Sequence, residues 1–295
     1  MALTVAPLRL VLTAYLVGFA SVGTTYCQSP RDTFPSMDSG GAIRAPSPAA
    51  QRVEHLWTMD YVDLLMSDTG AIVTAPVRWQ ADDWTYVGLA AASVGAAATL
   101  DRTVKDHVQA HRTSKEDRYF KAYQNLGSTW SFGVIAAFDV WGEATNNATA
   151  KDTAMDALTA SIIGPGLIGT SVKYAVGRVR PNSATGTFTF KPFSNNQSFP
   201  SGHTSQAFAV ATAIAENYPS AWVQALCYSG ASLVGYARIE QNAHYTSDVV
   251  AGALLGWAVA REVVQRHQGT GRAQNFTWVP YATGNAVGIL VSKSL

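Results

Sequence analysis

Three short clusters hold most of the residues whose types and spacing could do chemistry. The first runs from Lys173 through Arg178 to Arg180-Pro181, with Lys173 and Arg180 seven apart. Seven residues are two helical turns, so on a helix the two cations share one face, and Pro181 would stop the helix beside them. With Arg178 added, the same pattern is what a helix C-terminus uses to complement its macrodipole. The second cluster is Phe199-Pro200-Ser201-Gly202-His203-Thr204, at the head of a small-residue helical pattern from Ser205 to Glu216. A helix opening there presents free backbone N–H groups and a hydroxyl, the geometry that receives a phosphate, with His203 beside it as an acid or base. An ordinary N-cap at Ser201 has the same letters. The third cluster, from Ala237-Arg238 to His244 and Asp248, sets the histidine and the carboxylate four apart at a helix start. The carboxylate can accept one ring N–H there, fixing the tautomer and leaving the other ring nitrogen free to attack. A surface histidine paired with a helix N-terminal aspartate shares that spacing.

The elements that must position these clusters are read from where charge is missing. Trp84–Leu100, Ala122–Phe138, Ala157–Val172, Asn217–Ala237 and Val249–Ala260 carry no Asp, Glu, Lys or Arg and are helix candidates. They are rich in Ala, Gly and Ser, which favours close helix packing as much as contact with lipid. The expected fold is all-α, an antiparallel helix bundle. In such a run, the end of one helix and the start of the next share a pole, and all three clusters fall on it. Three cations, two histidines, a carboxylate and a helix N-terminus would then surround one cavity suited to a tetrahedral oxyanion. Lys173, Arg180 and Arg238 would hold three oxygens by charge-assisted hydrogen bonds, and two imidazoles could serve the two apical positions without a metal. The segment Asp101–Lys121 mixes charges of both signs and reads as a solvated helix face with no assigned chemistry. The tail 271–295, with apolar residues on either side of Thr283-Gly284-Asn285, reads as a short C-terminal β-hairpin.

Composition narrows the class. A chain of 295 residues with 47% hydrophobic residues is neither disordered nor fibrous. Lys+Arg 21 against Asp+Glu 20 leaves a net charge of +1, too little to gather nucleic acid, so any anion must be held locally. Two cysteines, Cys27 and Cys227, make neither a disulfide scaffold nor a Cys-based metal site, and no metal is expected. With 14% charged residues and a mean hydropathy of +0.04, the chain lies between soluble and membrane proteins. Residues 1–27 read as a secretory signal or an uncleaved N-terminal anchor, 28–50 as a Pro/Ser/Gly-rich flexible linker, and 51–270 as the helical domain. Export is expected, to the periplasm or to a membrane surface facing it. Cys227 reads as a buried small hydrophobe, Trp84, Trp130, Trp222 and Trp257 as core, and His107, His111 and His267 as surface residues.

Taken together, the clusters resemble the type 2 phosphatidic acid phosphatase superfamily, which also holds bacterial acid phosphatases and vanadium haloperoxidases. Its signature is K-x6-R-P, then P-S-G-H, then S-R-x5-H-x3-D. Lys173 to Pro181 and Pro200 to His203 match in full, and Arg238, His244 and Asp248 match the third motif, where Ala237 replaces the usual serine and removes one hydroxyl. The resemblance runs from Lys173 to Asp248. It implies that Lys173, Arg180 and Arg238 bind phosphate, aided by Ser201 and the Gly202 amide. It also implies that His244 is the nucleophile forming a phosphohistidine, with Asp248 orienting it and His203 as general acid. The implied activity is metal-independent and cofactor-free hydrolysis of phosphomonoesters or lipid (di)phosphates. Specificity would be set by the side chains lining the mouth between Asn182 and Gln197 and by the early helices. Two other readings share these residues: a haloperoxidase holding vanadate on His244, and a phosphate-binding envelope protein without turnover.

Overall fold

The computed structural model describes residues 55–269, together with the strands 276–283 and 286–293. The signal or anchor and the linker expected before residue 51 lie outside the described residues. Polar residues at the boundaries start and stop the helices. Helix α1 spans Met59–Val73 and is capped by Thr58, whose hydroxyl accepts from the Tyr61 amide. After a 3-10 turn at Ala75–Arg78 comes α2, Ala81–His111, the longest helix of the bundle. Helix α3, Ser114–Tyr123, begins with a capping box between Thr113 and Glu116, and runs into a 3-10 turn at Gln124–Gly127. Helix α4, Thr129–Thr145, ends at Asn146 in the left-handed region (φ 51°), and Asn147 then caps α5, Ala148–Ser161, by accepting from the Ala150 amide at 3.0 Å. Helix α5 continues through a π-helical stretch, Ile162–Gly169, which contains Pro165, into α6, Thr170–Val176.

Helices α7 (Gly202–Asn217), α8 (Ala221–Glu240) and α9 (Thr246–His267) complete the bundle. The all-α architecture agrees with the expectation from sequence. Beyond it, strands β1 (Phe276–Thr283) and β2 (Ala286–Lys293) pair antiparallel, from Phe276 opposite Lys293 to Thr283 opposite Ala286. Gly284 and Asn285, expected at their turn, lie outside the described residues.

Helix α7 is the axis of the core, buried without interruption from Thr204 to Ala213. Its small residues let neighbours approach closely. A Cβ added at Gly252 of α9 would stand 2.4 Å from the Ser201 carbonyl oxygen, and one at Gly256 would stand 2.1 Å from that of Ser205. Gly127 is as close to His203, at 2.3 Å from its carbonyl oxygen. Two apolar clusters flank this axis: Ile135, Met155, Val210 and Val264 on one side, and Ile163, Ala209, Val259 and Val263 on the other. Several large apolar residues instead face outward. Trp84, Trp130 and Trp222, expected in the core, are 54%, 51% and 82% exposed, and Trp257 is partly buried. Trp84 lies on the charge-free first half of α2, which is sparsely packed: Gly88 and Gly95 there have nothing within 4 Å of an added Cβ.

Candidate functional site

The N-terminus of α7, the end of α6 and the α8–α9 link meet at one pole. The first cluster reaches it differently from the helical-face expectation. Helix α6 ends at Val176, and Gly177 caps it in the left-handed region at φ 58°. A Cβ at Gly177 would stand 1.8 Å from the Lys191 carbonyl oxygen, so only glycine lets the chain turn there. Lys173 is therefore helical, whereas Arg178 lies in an extended segment that bridges to Phe190, and Arg180 follows beyond it. Pro181 does not terminate the helix; Gly177 does.

Lys173 Nζ donates to the carbonyls of Gln197 (2.9 Å) and Pro200 (2.5 Å), which pins the approach to the second cluster. An added Cβ at Gly202 would lie 3.5 Å from Lys173 Cε, so the lysine stands over the opening of α7. Ser201 occupies the N-cap position but makes no side-chain cap bond. Its buried hydroxyl accepts from Thr204 Oγ1 at 2.9 Å and keeps its own proton to give. Its amide donates to the Asp248 carbonyl at 2.9 Å, tying the second cluster to the third.

In the α8–α9 link, Asn242 adopts φ 53°, and the amides of Ala243 (3.1 Å) and His244 (3.2 Å) both donate to the Arg238 carbonyl. This wrap holds the imidazole of His244 beside the buried guanidinium of Arg238, which itself donates to Gln124 Oε1. His244 Nδ1 stands 3.7 Å from Asp248 Oδ2. That is an ion-pair distance and too long for the expected hydrogen bond. The reason is that Oδ2 already accepts from Ser198 Oγ (2.6 Å) and the Tyr245 amide (2.9 Å).

Burial and crowding of like charge set the protonation states. Burial, then the charges of Arg238, His244, Arg180 and Lys173, push His203 down to about 4. His244 is likewise lowered to about 4, by burial above all, with Lys173 and Arg238 adding to it and Asp248 opposing. Burial lowers Lys173 to about 8, helped by Arg180 and Arg238. Burial also lowers Arg238 to about 10, with Arg180 adding to it. For Asp248 burial acts upward, but His244 and Arg178 outweigh it and hold the carboxyl below its ordinary value. Lys173, Arg180, Arg238, His203 and His244 thus act on one another electrostatically across a single pocket. With neutral imidazoles and three cations, that pocket suits an anion.

Sequence reasoning missed part of the site. Arg178, read as a macrodipole complement, is buried. Its Nη1 donates to Asp248 Oδ1 (2.6 Å) and Ser247 Oγ (2.7 Å), and its Nη2 to Asp101 Oδ2 (2.7 Å). Asp101, assigned to a solvated face, is fully buried and also accepts from the Ser247 amide (2.8 Å) and hydroxyl (2.6 Å). A signal was present: Asp101 is the first charge after seventeen uncharged residues of α2, the position of an acid carried inward by an apolar helix. Ala237 is buried. His107 and His111 pack against each other on α2 with ring centroids 4.4 Å apart, and Cys227 is a partly buried free thiol raised by burial. His267 is not a surface residue; it lies between Asp156 and Asp68 toward the C-terminal ends of α7 and α9, away from this pole.

Residues 154–272 match the family model of the PAP2 superfamily. A lipid A 1-phosphatase of Porphyromonas gingivalis is 30% identical over 172 residues, which are 55% of this chain and 34% of that protein. A second lipid A 1-phosphatase, from Rhizobium etli, is 38% identical over 106 residues, 34% of this chain and 45% of the relative. An undecaprenyl-diphosphatase of Sulfolobus acidocaldarius is 33% identical over 91 residues, 30% of this chain and 44% of the relative. The chain thus spans less than half the length of each of these curated relatives. The matched region contains all three clusters from Lys173 to Asp248, so the part of the chain that is similar to the PAP2 superfamily is the part that builds this site.

Proposed function

We propose that the chain is a metal-independent lipid phosphate phosphatase working through a phosphohistidine. The observation that carries this reading is the convergence of Lys173, Arg180, Arg238 and the α7 N-terminus around two neutral histidines, His203 partly buried and His244 buried and backed by Asp248. The cations and the first amides of α7 bind the phosphoryl oxygens, and Ser201 gives its hydroxyl proton to one of them. His244 Nε2 attacks phosphorus, the ester P–O bond breaks, and His203 delivers a proton to the departing oxygen. Water then attacks the phosphohistidine, His203 takes its proton, and the P–N bond breaks to release inorganic phosphate. Arrival of a phosphate dianion raises the pKa of His203, because a nearby negative charge favours imidazolium, and this supplies the proton where the free site holds none.

A lipid substrate is supported by two kinds of observation. The relatives named above are lipid A 1-phosphatases and an undecaprenyl-diphosphatase. In this chain, Phe188, Phe193 and Tyr174 stand exposed beside the anion pocket, with Phe193 packed edge-on against Tyr174 at 5.7 Å. They offer an apolar rim to the tail of an amphipathic phosphate, Phe188 and Phe193 from the segment Asn182–Gln197 expected to help set specificity and Tyr174 from α6. No helix among the described residues is long and apolar enough to cross a membrane. The exposed Trp84, Tyr86, Leu89, Trp130 and Trp222 instead fit association with a membrane surface, facing the periplasm in an exported enzyme.

The test is a hydrolysis panel of lipid phosphates, isoprenoid diphosphates and soluble phosphomonoesters on purified protein, with EDTA present. Activity is expected on at least the lipid class, with turnover reduced by about 10³-fold or more in His244→Ala. Acid-labile, base-stable phosphate should be trapped on the wild-type protein and absent from that variant. Full activity in His244→Ala, or activity abolished by the chelator, would sink the mechanism.

A further inference from the structure

Asp101 touches neither histidine, yet it completes the buried charge cluster behind one of them. Arg178 lies between two fully buried carboxylates, bonding Asp248 through Nη1 and Asp101 through Nη2, with Ser247 bridging guanidinium and Asp101. The Arg178 guanidinium also covers the Tyr245 ring at 4.2 Å and donates to the Thr187 carbonyl, so its position is fixed on several sides. One cation between two anions leaves the cluster with a net charge of −1. That charge faces His244, whose other charged or titratable neighbours are Lys173 on α6, Arg238 on α8 and His203 on α7, with Arg180 acting on those three in turn. With Arg178 and Asp248 alone, the pair would be neutral, and the field of Asp248 at His244 would be largely spent on the guanidinium.

We propose that Asp101 is a positioning residue for phosphoryl transfer: by neutralising Arg178 it leaves the charge of Asp248 available to the imidazolium that forms on His244. The inference rests on the reading of His244 as nucleophile. As Nε2 bonds phosphorus and the ester P–O electron pair leaves with its oxygen, the ring keeps the Nδ1 proton and becomes cationic. Among the described residues, Nδ1 has no hydrogen-bond partner, and the carboxylate it faces is Asp248. The −1 cluster stabilises the charge as it develops; a neutral cluster would not. Asp101 is thus a third charge in a chain that runs from α2 through Arg178 and Asp248 to the reacting ring.

Two single variants change the cluster charge in opposite directions and the double variant restores it, all read with para-nitrophenyl phosphate on the full-length protein. Asp101→Asn makes it neutral: kcat is expected to fall about 10–100-fold with KM within about threefold, and the acid limb of kcat/KM to move to lower pH, because imidazolium is less favoured. Arg178→Gln leaves two carboxylates and moves the acid limb to higher pH. The double variant restores −1 and is expected to recover at least about tenfold of the kcat lost in Asp101→Asn. Shifts of the same sign, or a double variant no better than Asp101→Asn, would overturn the proposal. If one variant fails to fold, the sign of the shift in the other single variant decides; if none folds, the cluster is a structural staple and the proposal fails. His244→Ala in parallel separates the two readings. Turnover in that variant removes the nucleophile itself, whereas an inactive His244→Ala beside unshifted acid limbs refutes only the role of Asp101.

Discussion

His203 and His244 are both held near pKa 4 in the free site, which keeps two imidazoles neutral beside three cations. For His244 that is the nucleophilic form. For His203 it is the wrong form for an acid, and the substrate's own charge must correct it. Binding of inorganic phosphate or vanadate is therefore expected to raise the His203 pKa by a unit or more, as read from the ring proton shifts in NMR titrations with and without the anion. An unchanged titration would remove His203 from contact with the oxyanion. In His203→Asn, hydrolysis of an alkyl phosphate should fall by about 10²–10⁴-fold, and that of a nitrophenyl ester much less, because the better leaving group does not need the proton. Equal losses on both substrates would argue against a general acid.

At the scale of elements, the site depends on backbone contacts that only glycine permits. The α9 helix passes Ser201 so closely at Gly252 that a methyl group must displace either α9 or the start of α7, since the atom met is backbone. Gly252→Ala is expected to cost about 1–3 kcal/mol in stability and also to raise KM, because Ser201 and the first amides of α7 move with it. Gly256→Ala meets backbone at Ser205 and Ala209, a turn further along α7, and should cost similar stability with a smaller change in KM. Denaturant titrations set beside steady-state kinetics check both; a Gly252→Ala protein with wild-type KM would detach the anion site from the α7–α9 crossing. The charge-free stretches located these helices, but not where α6 stops. A chain from Lys173 to Pro181 looks helical by spacing, and the deciding fact is the left-handed Gly177, which sends Arg178 inward.

At the scale of the molecule, the end of the bundle away from the site is closed by a second buried charge cluster. His267 sits 2.5 Å from Asp156 and 2.7 Å from Asp68, and Arg266 and Asn217 bond the same two carboxylates at 2.8 and 2.6 Å. Burial alone would lower His267, but the hydrogen bonds to Asp156 and Asp68 outweigh it and raise the ring to about 9. A pKa raised on folding stabilises the folded state fully below the unfolded value of about 6.5 and loses that contribution as pH rises through 9. The contribution is on the order of 3 kcal/mol. The melting temperature is thus expected to fall between pH 6.5 and 9 in the wild type, and to be lower and flatter over that window in His267→Gln. A parallel slope in both proteins would assign the pH dependence elsewhere. The outward aromatic residues predict a second whole-molecule property: co-sedimentation with anionic vesicles, weakened severalfold by Trp84→Ser/Trp222→Ser with activity on a soluble phosphomonoester retained.

The three clusters were legible as letters because their chemistry is local in sequence. A Ser-Gly at a helix start, a histidine and a carboxylate four apart, and cations spaced seven apart before a proline are each short sequence patterns, and their union resembles one family, although the last does not lie on a single helix face. Tertiary structure alone decided which charges became partners. Asp101 and Arg178 are 77 residues apart, as are no two members of any one cluster, and the uncharged run before Asp101 marks it as an acid carried inward without naming its partner. His267 shows the same limit, since its partners come from α1 and α5. An isolated helix presents a charged side chain to water by default. Whether it turns inward depends on the opposite charge that another helix brings, because burying it unpaired would cost more than the fold could offset.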